Sequence, residues 1–500
     1  MQPTTSQSEF APIVDEHVDV IVIGAGVSGI GSAYHLKTQC PDKSFLILEA
    51  QEGFGGTWRT HRYPGTRADS DLYTYSYSFK PWLGDVTATA DEIRKYLQDV
   101  IADNDLGNAI RYRHHVTAAS WSSETSQWTL SVTRNDTGEQ LTFTANFLWM
   151  CQGYYRHDKG YTPQWDGMAD FKGVIVHPQE WPEDVDYRGK RVIVIGSGAT
   201  AATLIPAMAD DCEHVTMVQR SPTYFATEFA GLDLVKELKQ LEIDPAWIHE
   251  IMRRKSLRDE AIFNERSFTE PEQVKKELID CVRNHLGLDY DVATHFTPRY
   301  RPWRQRLAYV PDGDLFKAIK AGKVSVATGE IECFTADGLR LTSGDTIDAD
   351  IIITATGFHI SVMGDIAFTI DGKALDFANT VTFHGMMFTG VPNLAWVFGY
   401  LRTSWTPRVD VVADFVCRLL NHRTKSGLSK VAPELTSEVR DMPLGPWMDP
   451  ENFNAGYLMR NMHLMPKAGT KPEWRHTQNY LIEKDSFAAI DLDDNALVYG

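Results

Sequence analysis

No two of the six cysteines stand close together: Cys40, Cys151, Cys212, Cys281, Cys333 and Cys417 are scattered along 500 residues. That spacing excludes a redox dithiol, makes a disulfide framework or structural zinc site unexpected, and fits a reducing cytoplasm. Long apolar runs are missing too. No window reaches about 18 apolar residues in succession, so no transmembrane helix is expected. The N-terminus lacks a basic stretch followed by an apolar one, so no signal peptide is read. Peripheral membrane contact is left open. Bases are scarce: 49 Lys and Arg face 67 Asp and Glu, a net charge of −18. This argues against nucleic acid or an anionic membrane as the main partner. No His, Cys and carboxylate spacing points to a metal.

What is present begins with length. Five hundred residues exceed one compact core and predict two or three domains. Aromatic residues make up 11%, enough to wall a flat pocket or simply to pack a core. After a polar, acidic leader over 1–16, the β-branched run Val18 to Ile23 predicts a buried parallel strand. A glycine turn, a small-residue helix to about Lys37 and a strand Ser44 to Leu48 follow. The same pattern recurs at Arg191 to Ile195, Ala199 to Met208 and Val215 to Val218. Two βαβ units in one chain predict an α/β protein with two Rossmann-like domains. Between Gly231 and Leu286, Lys, Arg, Glu, Leu and Ile at helical spacing predict a helical insertion. Asp410 to Leu420 reads as a further helix.

The first turn, Gly24-Ala25-Gly26-Val27-Ser28-Gly29, is GxGxxG between a strand and a helix. Gly24 permits the tight turn, Gly26 lets backbone approach a pyrophosphate, and Gly29 lets helix meet strand. The helix N-terminus offers N–H groups and a positive dipole end to phosphate. Glu49 ends the next strand 20 residues after Gly29 and can accept from ribose hydroxyls. An acid there suits an unphosphorylated ribose, as in FAD or NAD. The second turn, Gly196-Ser197-Gly198-Ala199-Thr200-Ala201, is followed by Arg220 and Ser221 instead of an acid. Arg220 can fork onto a 2′-phosphate and Ser221 can donate to it, which points to NADPH. FAD in the first site and NADPH in the second is the economical reading.

Phe171, Gly173, His177, Trp181 and Pro182 form FxGxxxHxxxWP just before the second glycine turn. Gly55-Gly56-Thr57-Trp58, Tyr63-Pro64-Gly65 and Asp69 form a second cluster, and Cys151 to Tyr154 and Ala355 to Gly357 sit where the chain would cross between domains. Together these resemble the signatures of the Baeyer–Villiger monooxygenases, within the flavin-containing monooxygenase superfamily. Arg67 to Asp71, His177 to Glu183, Gln219 to Tyr224, Phe296 to Phe316, Ser404 to Thr406 and Gly456-Tyr457 are closer still to the ethionamide-activating subgroup, over roughly residues 17–480. Where that subgroup has an acid between Trp303 and Gln305, this chain has Arg304, which bears on substrate preference.

The resemblance implies that NADPH reduces FAD, that dioxygen adds to give a C4a-peroxyflavin, and that this oxidant converts ketones to esters or lactones and oxidises sulfides or thioamides. It implies Arg306 as the catalytic arginine beside the flavin, with Asp69 holding it; Arg299, Arg301 and Arg304 are the alternatives in the same segment. A permanent cation suits the task, since negative charge on oxygen must be stabilised away from water. Gly56, Thr57 and Trp58 are expected to line the flavin, Arg67 to touch the nicotinamide cofactor, and Val116 to meet the adenine side. Tyr75 packs beside the cofactor or in the core. His177 and Trp181 are expected to couple domain motion to cofactor position, with a structural histidine equally open. The division read from these motifs is an FAD domain over 1–157 and 361–500, and an NADPH domain over 158–228 and 296–360 with the insertion 229–295 inside it. An S- or N-oxygenating enzyme without ketone activity and an uncoupled NADPH oxidase stay open as alternatives.

Overall fold

The computed structural model describes residues 15–227 and 232–500. Most of the leader read over 1–16, and the junction at 228–229 with Gly231, lie outside the described residues. Among the described residues no helix is long and apolar enough to cross a membrane, and no group of His, Cys, Asp and Glu could hold a metal ion.

Val20, Ile21 and Val22 are fully buried, so this strand needs apolar side chains on both faces, as central parallel strands do. It spans Glu16–Ile23, lies between parallel partners Phe45–Glu49 and Gln140–Met150, and a third parallel strand, Ile110–Tyr112, lies beyond Phe45–Glu49. The antiparallel strands His114–Ser122 and Gln127–Arg134 extend the sheet on the other side. Late segments complete it: Leu394–Trp396 pairs with Gln140–Met150, and Ala367–Ile370 pairs with His114–Ser122.

The second sheet is wholly parallel, in the order Val324–Thr328, His214–Gln219, Arg191–Ile195, Ile351–Thr354, Val174–Val176. The chain passes from the first half to the second and back through two strands, Tyr155–Gly160 and Phe358–Ile360, that pair antiparallel with each other. Tyr161 N–H donates to the Gly357 carbonyl at 3.0 Å, and the Thr356 hydroxyl donates to the Tyr161 carbonyl at 2.6 Å. Entry and exit are therefore one ribbon.

The insertion is helical as the spacing predicts, with helices Leu232–Gln240, Pro245–Thr269 and Pro271–Leu286. It falls within the second half in sequence but bridges both in space. The buried Arg253 guanidinium donates to the carbonyls of Tyr73, Thr74 and Ser76 in the first half, while Val282 and Leu286 pack into the core beside the second sheet.

Candidate active site between two nucleotide-binding turns

Both glycine turns end as bare helix N-termini. The helices Val27–Gln39 and Ala199–Met208 have Gly26 and Gly198 as N-caps, no side-chain cap and no acid in the first turn. By contrast, Ala90–Asp103 carries a full capping box from Thr89 and Glu92. Several other helices also lack a side-chain cap, but at the glycine turns the free N–H groups face a cavity and can meet an anion. Space agrees. A Cβ on Gly29 would lie 1.8 Å from the Gly24 carbonyl oxygen, so that glycine serves helix–turn packing. Gly196, at φ +129°, would press 2.3 Å from the Ala355 oxygen for the same reason. A Cβ on Gly198 would meet nothing within 4 Å, and one on Gly26 only Gly56 backbone at 3.7 Å. Both turns have room for a phosphate.

The turns face one cavity of about 1110 Å³. Gly24, Gly26, Ser28, Glu49, Gly56, Thr57, Trp58, Arg67, Asp69, Tyr75 and Val116 line it from the first half, and Gly198, Ala199, Thr200 and Arg306 from the second. Among the other residues singled out in the sequence, Ala201 is buried in its helix and Ser197 shares a 2.8 Å hydroxyl contact with Thr223. Arg220 and Ser221 are exposed at the end of strand His214–Gln219.

Glu49 is buried, and its two oxygens accept from the N–H groups of Ala25 at 2.7 Å and Gln51 at 2.8 Å. It thus braces the first glycine turn while each oxygen keeps lone-pair capacity for a ribose hydroxyl. Burial raises its pKa above the ordinary carboxylate value, against those two hydrogen bonds. Trp58 Nε1 donates to the Tyr75 hydroxyl at 2.7 Å, and Thr57 shares a 2.6 Å hydroxyl contact with Tyr155. Ser28 accepts from Trp405 Nε1 at 2.8 Å, and the Trp405 ring stacks on Tyr154 at 5.4 Å. Trp405, Tyr154 and Tyr457 line the cavity as well. Sequence reading gave none of them a role; their only signal was membership of the matching segments 151–154, 404–406 and 456–457.

Arg306 and Asp69 meet as a two-pronged ion pair, with Nη2 2.6 and 2.8 Å from the carboxylate oxygens and Nε at 3.2 Å. The Arg306 side chain is 41% accessible and Asp69 17%, and since both line the cavity, that surface opens into it. The Asp69 charge beside it raises the guanidinium pKa above its ordinary value, against the partial desolvation of the cavity wall, so the cation is permanent. The neighbouring arginines are used otherwise. Arg301 donates to the carbonyls of Glu451 and Asn452 and stacks on Phe268. Arg304 pairs with Glu451 at 2.7 Å and does not line the cavity, so its charge is met outside it. Arg67 pairs with Asp314 at 2.7 Å.

The motif before the second turn is a strut. His177 Nε2–H donates to the Gly357 carbonyl at 3.1 Å and Nδ1 accepts from Gln179 N–H at 3.1 Å, which fixes the tautomer. A Cβ on Gly160 would fall 1.9 Å from the His177 ring. Burial lowers the His177 pKa. The histidine therefore locks the ribbon's two strands to the second sheet. A Cβ on Gly173 would meet the Asp350 oxygen at 2.3 Å, Phe171 sits edge-on to Phe334, and Trp181 packs near Tyr187. Pro182 follows at the half-exposed rim.

Over residues 17–230 the chain matches the flavin-binding monooxygenase-like family. It is 42% identical to the FAD-containing monooxygenase EthA of Mycobacterium tuberculosis, covering 96% of this chain and 97% of that one. It is 41% identical to the probable FAD-binding monooxygenase AlmA of an Acinetobacter species, covering 97% of each. Among solved structures, a steroid monooxygenase bound to NADP superposes with a TM-score of 0.75 at 22% identity, over 97% of this chain and 99% of that one. A cyclohexanone monooxygenase gives 0.73 at 20% identity over 97% and 100%. At such identities the structural likeness carries the fold.

Proposed function

The chain belongs to the flavin-binding monooxygenase-like family, within its EthA-like subgroup, and on that premise we propose that it inserts an oxygen atom into ketones, giving esters or lactones, and oxidises sulfides or thioamides. It is an FAD- and NADP-dependent flavoprotein monooxygenase, with dioxygen as co-substrate. The observation that carries the substrate reading is Arg306, clamped by Asp69 on the wall of a cavity bordered by both nucleotide turns.

The flavin, when bound, supplies the reduction of dioxygen that delivers the inserted atom. The chain's own residues do the rest. The turns at Gly26 and Gly198 hold the phosphates, and Glu49 holds a ribose. Arg306 keeps a fixed positive charge where negative charge gathers on oxygen, and its fork geometry on Asp69 aims it without reorganisation at the moment of reaction. Trp58, Tyr75, Tyr154 and Trp405 wall the site with rings and exclude water. Arg220 and Ser221 select the 2′-phosphate. We assign the first half to FAD and the second to NADPH, with His177 coupling the connecting ribbon to the second sheet. EthA and AlmA carry the names of FAD monooxygenases, which favours flavin-dependent oxygenation here.

The test is turnover of a cyclic ketone and a thioether with NADPH under ¹⁸O₂, with hydrogen peroxide measured alongside. Labelled lactone or ester is the expected product. Sulfoxide without any ester would leave an S-oxygenating enzyme, and peroxide equal to NADPH with no organic product would make it an oxidase; either defeats the ketone proposal.

A further inference from the structure

Two arginines stand beside the strands that neighbour the second glycine turn, and neither has a carboxylate partner among the described residues. The turn 196–198 leaves the middle strand of its sheet. Arg220 follows the neighbouring strand His214–Gln219 on one side. On the other side, Ala355 to Gly357 follow Ile351–Thr354, and the Ala355 oxygen lies against Gly196. Arg460 stands over that second flank. Its Nη2 is 3.9 Å from where a Cβ on Gly357 would sit and 3.5 Å from the Phe358 carbonyl. Its Cζ lies 3.6 Å above the Tyr161 ring, and Tyr161 is itself tied to Gly357. The exposed guanidinium is thus held over the Tyr161–Gly357 crossover beside the turn by a cation–π contact, although its helix, Gly456–Arg460, comes from the last stretch of the chain. Burial lowers the Arg460 pKa first, and the Arg220 charge adds to this, against Tyr161. Two like charges on the strands either side of a helix start that has no side-chain cap and no acid in its first turn suit an anion.

We propose that Arg460 binds the pyrophosphate of NADP(H) from the side opposite Arg220, so that the first half's C-terminal segment completes the nucleotide site of the second. This rests on placing the nicotinamide dinucleotide at Gly198, as above. Tyr161 is the positioning residue that keeps the guanidinium over the turn. Because the segment also carries Tyr457, which lines the main cavity, dinucleotide binding would draw the two halves toward each other.

The experiment is calorimetric titration of the oxidised, FAD-loaded enzyme with NADP⁺ and with NAD⁺, without turnover, for wild type, Arg460→Ala, Arg460→Gln and Arg220→Ala. Loss of a charge-assisted contact predicts that both Arg460 variants weaken both dinucleotides by about tenfold or more, with bound FAD and thermal midpoint unchanged. Arg220→Ala should weaken NADP⁺ far more than NAD⁺. Arg460→Gln keeps the aliphatic stem and an amide donor while removing the charge, so it guards against a folding effect in the alanine variant. Wild-type affinity for both dinucleotides in the Arg460 variants overturns the proposal, and so does a loss confined to NADP⁺, which would move the residue to the 2′-phosphate. Failure of the wild type to bind either dinucleotide would instead overturn the placement at Gly198.

Discussion

Arg306 owes its position to Asp69, 237 residues away in sequence, and the pair sets the clearest expectations at the scale of single residues. Arg306→Ala should leave NADPH-driven flavin reduction intact while oxygenated product per NADPH falls by about 100-fold, the usual loss for a removed charge-stabilising donor. The electrons should appear as peroxide, and a coupled product still made at the wild-type ratio would remove Arg306 from the chemistry. Asp69→Asn keeps size but surrenders the two-pronged charge pair, so coupling should fall by less than in the arginine variant. The sequence alone could not choose among Arg299, Arg301, Arg304 and Arg306; the resemblance chose. In the structure Arg301 and Arg304 are engaged by Glu451 and Asn452, while Arg306 lines the cavity. No local pattern announces a partner some 150 residues downstream.

Elements were more legible than their packing. Glycine turns are local, and each of their backbone demands is written within six residues, so Gly24, Gly26, Gly29, Gly196 and Gly198 could be read directly. Their different geometry makes a paired prediction. Gly29→Ala meets backbone at 1.8 Å and should cost folding yield and FAD retention, whereas Gly198→Ala meets nothing and should keep the thermal midpoint while lowering NADP⁺ affinity. Equal losses of stability in both would refute the distinction. The insertion's helices were likewise plain from spacing, but their docking was not, because it depends on Arg253 reaching the carbonyls of Tyr73, Thr74 and Ser76 at the end of a short helix and on a half-buried carboxyl, Glu260. Glu260 hydrogen-bonds Thr403 on the cavity wall. Burial, then the charge of Asp71, pushes its pKa up to about 8. A raised carboxyl pKa stabilises the fold below the unfolded value of about 4.3, and that contribution is lost as pH climbs through 8. Glu260→Gln should therefore raise the thermal midpoint relative to wild type above pH 8 and flatten its decline from pH 5. Parallel midpoint curves would show the carboxyl to be ionised throughout.

The whole molecule carries an opposite sensitivity on the acid side. Burial lowers His61 and His476 to about 3, and His157, His249 and His384 to about 4. Each is held neutral in the fold and must take a proton once exposed, so their contribution is present above about pH 6.5 and drains away as pH falls toward 4. Denaturant midpoints measured from pH 7 down to pH 4 should drop steeply, and a level profile would contradict the burial of these rings. None of this was visible beforehand, since a histidine's sequence neighbours do not say how deeply it will sit.

At this scale the ribbon of Tyr155–Gly160 and Phe358–Ile360 has a mechanical meaning. Two separate tethers would let one half wander and spin. Two tethers laced to each other, and pinned by His177, behave as a leaf spring: they bend across their thin direction and resist twist. A second half hung on such a ribbon would bend along one arc only, so a nucleotide held on it would meet the flavin in a single alignment.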